Sequence, residues 1–427
     1  MNRPLPRPAL ENIEAVLQAI ESGPVNGEGF PVALKDLDKN LADAVVRDMR
    51  VLMSRVLSHL GGRTTAEAHG YRVRQILTCF GWVPVRYAYI RRASASALLS
   101  ALGVAAKSTA AARDWVVRCA ALCGSFAEGR GMLTRLTGLN VSISKTREMA
   151  LAYGEWCLQR QAEAAPDVRS YPERTTKDGE TETTHTLFCM LDGTGAPCTT
   201  KDTADTKGKN GAAGTKQIRV ALFGEYRWLD KKGRPSPFRG SFSYAVSGEE
   251  IAEVTSLVRK LGLARGYGTA GRMQCVADGE DALEKAMRDA FPAAEFTNDF
   301  MHACGHLHAC CEHIGLPADA MGKEYRFLKG LLYRIGAAPV IKRIETKYAD
   351  ALGASAEAES ELDYIRKRKQ NMCYGRLRME GLFIASGHVE AAARILVVRR
   401  CKQAGMHWRH KNAIRISAIL ARLRSAA

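Results

Sequence analysis

The chain has 427 residues, of which 62 are Lys or Arg and 45 Asp or Glu, a formal net charge of +17 at pH 7. A single core stops growing near ~250–300 residues, so two or three domains are expected, and the excess charge favours a polyanionic partner, nucleic acid ahead of a membrane surface. No apolar run reaches the ~18–20 residues of a spanning helix, the opening Met1-Asn-Arg-Pro-Leu-Pro-Arg-Pro8 has no secretory apolar region, and the twelve cysteines include no Cys-x-x-Cys pair, which points to a cytoplasmic protein with reduced, ordinarily buried thiols.

Residues 1–38 are rich in Pro and Gly without a sustained period and read as a loosely attached arm. The next segment, 39–160, reads as a mainly helical DNA-binding region and a candidate dimerisation region. Its first part keeps helical spacing through Leu41, Val45, Met49, Leu52, Met53, Val56, Leu57 and Leu60. Val73 to Arg92 then alternates apolar and polar residues around Cys79-Phe-Gly-Trp82, the pattern of a β-hairpin. Arg91 and Arg92 beside it are phosphate contacts or plain solvated charges. Residues 95–157 return to helical composition, broken at Gly124, Gly131 and Gly138. Within them, Phe126 to Leu136, a turn at Thr137-Gly138-Leu139-Asn140 and a capped segment from Ser142 resemble helix, turn and recognition helix, with Ser144, Lys145 and Arg147 at its start. Two packed helices around a glycine turn is the plainer alternative.

The stretch Thr186-Leu-Phe-Cys-Met-Leu-Asp192-Gly-Thr-Gly195 is an apolar run that ends on a carboxylate and glycines. It reads as a buried strand delivering Asp192 to the sheet edge, where oxygen ligands and close backbone approach suit a hard divalent cation. The pattern recurs at Met273-Gln-Cys-Val-Ala-Asp278-Gly279. Either alone is ordinary turn chemistry, but two on one sheet make the paired carboxylates of a two-metal site. Between them lie a Gly/Lys/Thr/Asp-rich loop (Lys201–Lys216), strands at Ile218–Trp228 and Gly240–Val246, and a helix at Gly248–Leu261. Three strands, then helix, strand and helix is the ribonuclease H-like order, so the fold class expected is α/β, with a mixed-sheet core whose first part spans 180–313.

A helix at Asp281–Phe291 and a strand at Ala294–Phe300 lead to Asp299-Phe-Met-His302 and a run dense in metal-binding types to His313. His302 with His306, or His306 with Cys310, sit at i, i+4 and offer pairs for zinc, although a closed structural site needs four ligands. Residues 314–380 read as an all-helical insertion, with Ala338–Ile341 its one strand candidate. From 381 to 427 the core resumes in helices: Ser386 caps one whose apolar side is Val389, Ala393, Leu396 and Val397. After Glu390 there are nine Lys or Arg and no Asp or Glu. Arg394, Arg399, Arg400, Lys402 and Arg409 lie in this one-signed field and are expected on a DNA backbone.

Taken together, Asp192-Gly-Thr-Gly, Asp278-Gly with Asp299-Phe-Met-His302, and Ser386-Gly-His-Val-Glu390 followed by Arg400-Cys-Lys-Gln-Ala-Gly-Met-His-Trp408 resemble bacterial insertion-sequence transposases of the Kra type, relatives of the Mutator-like DDE enzymes. The resemblance covers about residues 70–425. It implies a catalytic triad of Asp192, Asp278 and Glu390 holding two Mg²⁺ or Mn²⁺ ions, with Asp299 and His302 as accessory residues near the scissile strand. It also implies double-stranded DNA, both transposon ends and target, as partner, a homo-oligomer that is at least a dimer when the ends are synapsed, and a nucleoid-associated bacterial protein. The chain departs from many relatives in having Arg91-Arg-Ala-Ser where a cysteine-paired zinc knuckle follows the hairpin. The rival readings are a non-catalytic DNA-binding regulator derived from such an enzyme and a ribonuclease H-like repair nuclease, which would lack the helical insertion and the basic Glu390 helix.

Overall fold

A computed structural model of the chain describes residues 10–22, 37–61, 69–89, 104, 107–163, 174–175, 181–182, 186–204, 207–208, 211–212, 214–229, 235–248, 250–267 and 271–425. The chain divides into two units, 1–152 and 153–427. Among the described residues no helix is long and apolar enough to cross a membrane.

The first unit is built on helices and one hairpin. Part of the expected arm is ordered: Glu11–Ser22 is helix α1, with Ile13, Val16, Leu17 and Ile20 at helical spacing. The Asp48 carboxylate accepts from the Asn12 and Ile13 N–H groups at 3.1 and 3.0 Å, satisfying two donors that a helix start leaves open. Asp48 lies on α2 (Leu37–Gly61), which packs on β2 of the antiparallel hairpin β1 (Tyr71–Thr78) and β2 (Gly81–Ala88). Cys79 and Phe80 form the turn, and Gly81 takes φ +115°, which favours glycine. Three helices follow: α3 (Ala110–Leu122), α4 (Phe126–Thr137) and α5 (Ile143–Glu163). Ser125 caps α4 by accepting from Glu128 N–H, and Gly138 ends it in the left-handed conformation at φ +68°. Leu133, Leu139, Val141 and Met149 bury together with Val116 and Leu77.

The second unit contains a five-stranded mixed sheet. In chain order its strands are β3 (Thr186–Pro197), β4 (Thr215–Leu229), β5 (Pro235–Ser247), β6 (Arg272–Ala277) and β7 (Glu295–Asn298), and their spatial order is β7-β6-β3-β4-β5. β4 pairs antiparallel with both β3 and β5, while β6 pairs parallel with both β3 and β7. The unbroken apolar run of β3 follows from its place: Leu187 and Leu191 point into a core with α6 (Ile251–Ala264) and α7 (Asp281–Ala290). Phe188, on the other face, is fully buried against Tyr226, Phe242 and Phe383. Gly224 leaves room for that ring, since a Cβ there would lie 2.5 Å from it.

The insertion is helical throughout its described length: α8 (Phe300–His313), α9 (Ala318–Arg334), α10 (Ala337–Lys347), α11 (Ala349–Ala354), α12 (Ala356–Arg368) and α13 (Tyr374–Met379). Ala338–Ile341, the expected strand candidate, lies inside α10. Its boundary also moves, because Phe300, Cys304, Leu307 and Cys311 of α8 share one core with Leu328, Val340, Ile344, Leu362 and Tyr374. The chain then returns to the sheet through α14 (Gly387–Ala393), which continues into a π-helical turn at Arg394–Val398, and α15 (His410–Arg424).

A buried ion cluster tests this helical core separately. Glu324 accepts from Arg343 at 2.6 and 3.1 Å and from Lys347 at 2.9 Å. Arg343 first, then Lys347, hold its carboxyl down at about 2. A carboxyl depressed in the folded state stabilises above its ordinary value near 4.5 and loses that contribution as pH falls toward 2. Glu324→Gln is therefore expected to cost about 1–2 kcal/mol at neutral pH, discounted because both cations are partly exposed. It should also flatten the acid limb of a urea-midpoint against pH curve. An acid limb identical to the parent's would show that the cluster carries none of it.

Candidate metal centre

The parallel ladders bring three carboxylates to one level. The register pairing Met190 with Val276 puts Asp192 level with Asp278, just past the last pair. The register pairing Ala277 with Asn298 puts Asp278 level with Asp299. Asp299 N–H donates to Ala277 C=O at 2.8 Å, which holds this edge together. Asp278 and Asp299 thus stand just past the carboxyl ends of two adjacent parallel strands, level with Asp192 on β3, at the edge where open α/β sheets bind ligands. One expectation changes: β3 does not stop at Asp192 but runs on to Pro197, because β4 stays paired with it through Gly193, Thr194 and Gly195. Asp192 lies where the parallel neighbour leaves, on the central strand.

Glu390 reaches the same place from the first turn of α14. Burial raises the pKa of Asp192, and the neighbouring charges of Asp278 and Glu390 raise it further, against Gly193 N–H and His302. These four side chains therefore share one electrostatic site. Asp192 Oδ1 accepts from Gly193 N–H at 2.7 Å and Asp278 Oδ1 from Glu280 N–H at 3.0 Å, so each is turned onto the backbone that follows it. Tyr364, from α12, donates its hydroxyl to the Asp278 carbonyl at 2.5 Å and ties the insertion to this loop.

The tightest group is a different one. Among the described residues, ligand atoms of Asp299, His302 and Glu390 lie within 4.8 Å of one another, and this group can hold a metal ion. Asp192 and Asp278 are outside it, since their carboxylates are turned onto Gly193 and Glu280. Asp299 is fully buried and caps α8, with Oδ1 accepting from His302 N–H at 2.7 Å and lying 3.1 Å from His302 Nδ1. Its Oδ2 accepts from Ser386 N–H at 2.6 Å. Burial pushes the Asp299 carboxyl up, but these bonds from His302 and Ser386 outweigh it and hold it below its ordinary value. Asp299 in turn raises His302, above all through the hydrogen bond to its ring. Ser386 Oγ lies 2.9 Å from Asp299 Oδ2 and 3.1 Å from Glu390 Oε1, so its one proton serves either carboxylate. The capping role expected of Ser386 is not made: its hydroxyl bridges the two acids instead of bonding the start of α14.

Among the described residues the neighbouring His/Cys run forms no second group. His306 is held by Glu361 at 2.6 Å and stacks on Tyr364 with centroids 3.6 Å apart. Cys304, Cys310 and Cys311 are buried in the apolar core of the insertion, where burial pushes their thiols up to about 11, 11 and 12.

The basic residues divide. Arg394, Arg399 and Lys402 are exposed. Arg400 is 3% exposed, with its guanidinium 5.2 Å from the Trp408 ring centroid, so it is a packed side chain and not part of an outward strip. Arg409 pairs with Asp202 at 3.2 Å. In the first unit, Lys145 pairs with Glu148 at 2.7 Å and Arg147 is exposed on α5. Arg91 and Arg92 lie outside the described residues.

Sequence reasoning passed over Ser386 as a bridge and Tyr364 as a tether. The first had a signal, the i, i+4 spacing to Glu390; the second comes from a helix 86 residues after the loop it holds and had none. No family model and no curated protein matches the chain.

Proposed function

We propose that the chain is a DDE transposase with a ribonuclease H-like core, cutting DNA at the ends of an insertion sequence and joining them to target DNA by in-line phosphoryl transfer. The observation that carries this reading is the level placement of Asp192 and Asp278 on adjacent parallel strands, with Glu390 coupled to Asp192 from α14. The sheet order and the all-helical segment inserted before Glu390 support it.

The donor set fits hard divalent cations. Asp192, Asp278 and Glu390 offer carboxylate oxygens, and like charges gathered at a half-buried edge call for a cation between them. These three would hold Mg²⁺ or Mn²⁺, which when bound lowers the pKa of the attacking water or 3′-hydroxyl and stabilises the departing oxygen. Asp299 also positions its neighbours: it holds the His302 ring through Nδ1 and, with Glu390, the Ser386 hydroxyl. Exposed Arg394, Arg399 and Lys402 on the same segment as Glu390 would follow the sugar-phosphate backbone of double-stranded DNA.

The test is cleavage of end-labelled duplex carrying the termini of the source element. Nicking at the ends is expected with Mg²⁺ or Mn²⁺, stopped by EDTA, and lost in Glu390→Gln while gel-shift binding persists. Binding without any metal-dependent nicking under all of these conditions would replace the enzyme with a DNA-binding regulator.

A further inference from the structure

The hairpin of the first unit has two unlike faces. One carries Ile76, Val83 and Val85, buried with Leu57 of α2. The other carries Tyr71, Val73, Gln75, Trp82, Pro84 and Arg86, as the cross-strand pairs Val73 with Arg86 and Gln75 with Pro84 require, together with the buried Ala88 and Leu77, the latter packed with Val116 and Leu133 of α3 and α4. On that outer face Tyr71 is 53%, Val73 65% and Trp82 38% exposed. A two-stranded ribbon backed by a helix needs no apolar residues on its solvent side, so their presence marks a contact surface.

The charge around it has one sign. From residue 68 to 113 there are seven Lys or Arg and no Asp or Glu. One arginine of this face is already held in place by a ring: Arg86 lies over Tyr71 at 4.1 Å. Such stacking leaves the guanidinium edge free to bond while reducing the rotamer entropy lost on binding. The major groove of B-DNA admits a two-stranded ribbon, and the side chains suited to base edges there are Arg for guanine and Gln for adenine.

We infer that the outer face of β1 and β2 is a sequence-reading surface for double-stranded DNA, with the ribbon in the major groove and Gln75 and Arg86 on base edges. Tyr71, Val73 and Trp82 supply apolar contact to thymine methyls and exclude water around the polar pairs. This rests on the DNA reading proposed above but adds to it the place where sequence is read, on a unit other than the one that carries the acidic site.

The experiment is repeated selection of short duplexes with a randomised core by full-length protein in EDTA, where no cleavage intrudes, followed by affinity measurement on the enriched and the starting pools. The parent protein is expected to enrich a motif. Arg86→Lys, which keeps the charge and loses the planar fork, should bind that motif about tenfold more weakly and accept other bases at one position, with its affinity for the starting pool almost unchanged. Gln75→Ala should relax a neighbouring position in the same way. Far-UV circular dichroism and light scattering check fold and oligomeric state. Enrichment of the same motif with the same affinity by both variants overturns the inference, as does a parent protein that enriches none. A change in oligomeric state without a change in selection would make this face a contact between copies and overturn it equally. Metal-dependent nicking is read in a separate assay: a protein that selects but never cuts sinks the enzyme reading and leaves the ribbon, and one that cuts while ribbon variants select as the parent does sinks the ribbon alone.

Discussion

Asp192→Asn is expected to lower metal-dependent strand cleavage by more than roughly a hundredfold, since losing even an outer partner of a metal ligand costs 10–100-fold, while leaving duplex binding almost intact. Asparagine keeps the acceptor for Gly193 N–H and removes only the charge. The same substitution should not destabilise the protein. Burial first, and then Asp278 and Glu390, raise this carboxyl in the folded chain. An acid whose pKa is raised on folding binds its proton more tightly in the folded state, so its charged form opposes folding above that pKa and the cost is relieved as pH falls. Without metal at neutral pH, Asp192→Asn should therefore melt at the parent's temperature or above it, the behaviour of a site strained for function. Cleavage and duplex binding titrated on one preparation, with a thermal melt in EDTA, decide the matter. A parallel fall in cleavage, binding and melting temperature would make Asp192 a structural residue.

Asp299→Ala is expected to produce the opposite pattern, with stability falling first. The substitution strands His302 N–H and Ser386 N–H, and leaves the Ser386 hydroxyl to Glu390 alone, at a buried point where β7 ends, α8 begins and α14 approaches. Leaving such donors without their charged acceptor costs roughly 3–5 kcal/mol. The sign with pH is that of a depressed acid: Asp299 stabilises above its unfolded pKa, and the contribution is lost as pH falls through its lower folded value. Denaturant unfolding of Asp299→Ala against the parent at neutral and acid pH should thus show a gap that narrows as the solution is acidified. Manganese titration of the folded variant should also show weaker binding, because Ser386 and His302 lose the group that aligns them. A variant that unfolds with the parent's midpoint at neutral pH would mean that the chain reorganises around the vacancy and that Asp299 is no keystone.

The two substitutions separate what was readable in one dimension from what was not. Asp192 and Asp278 stood out because each ends an apolar run and precedes glycine, a local pattern set by strand burial and turn chemistry. The helices of the insertion, the hairpin around Cys79 and Phe80, and the apolar side of α14 at Val389, Ala393, Leu396 and Val397 were legible for the same reason: period and breaker residues act between near neighbours. Helix α1 carried its stripe of Ile13, Val16, Leu17 and Ile20 in plain view beneath a Pro- and Gly-rich composition. Arg400 shows where local reading fails. In sequence it is one charge in a field of nine, and only the approach of Trp408 from beyond a turn makes it a packed side chain. Ser386 likewise reads as a cap until Asp299, 87 residues earlier, takes its N–H and lies within reach of its hydroxyl. By itself, then, the sequence determined the elements, their order and the two strand-borne carboxylates, because propensity and burial period are local. Only the tertiary structure decided that Asp299, His302 and Glu390 form the tightest group and which arginines face water, because hydrogen bonds and burial between distant segments depend on the register and packing of the whole sheet.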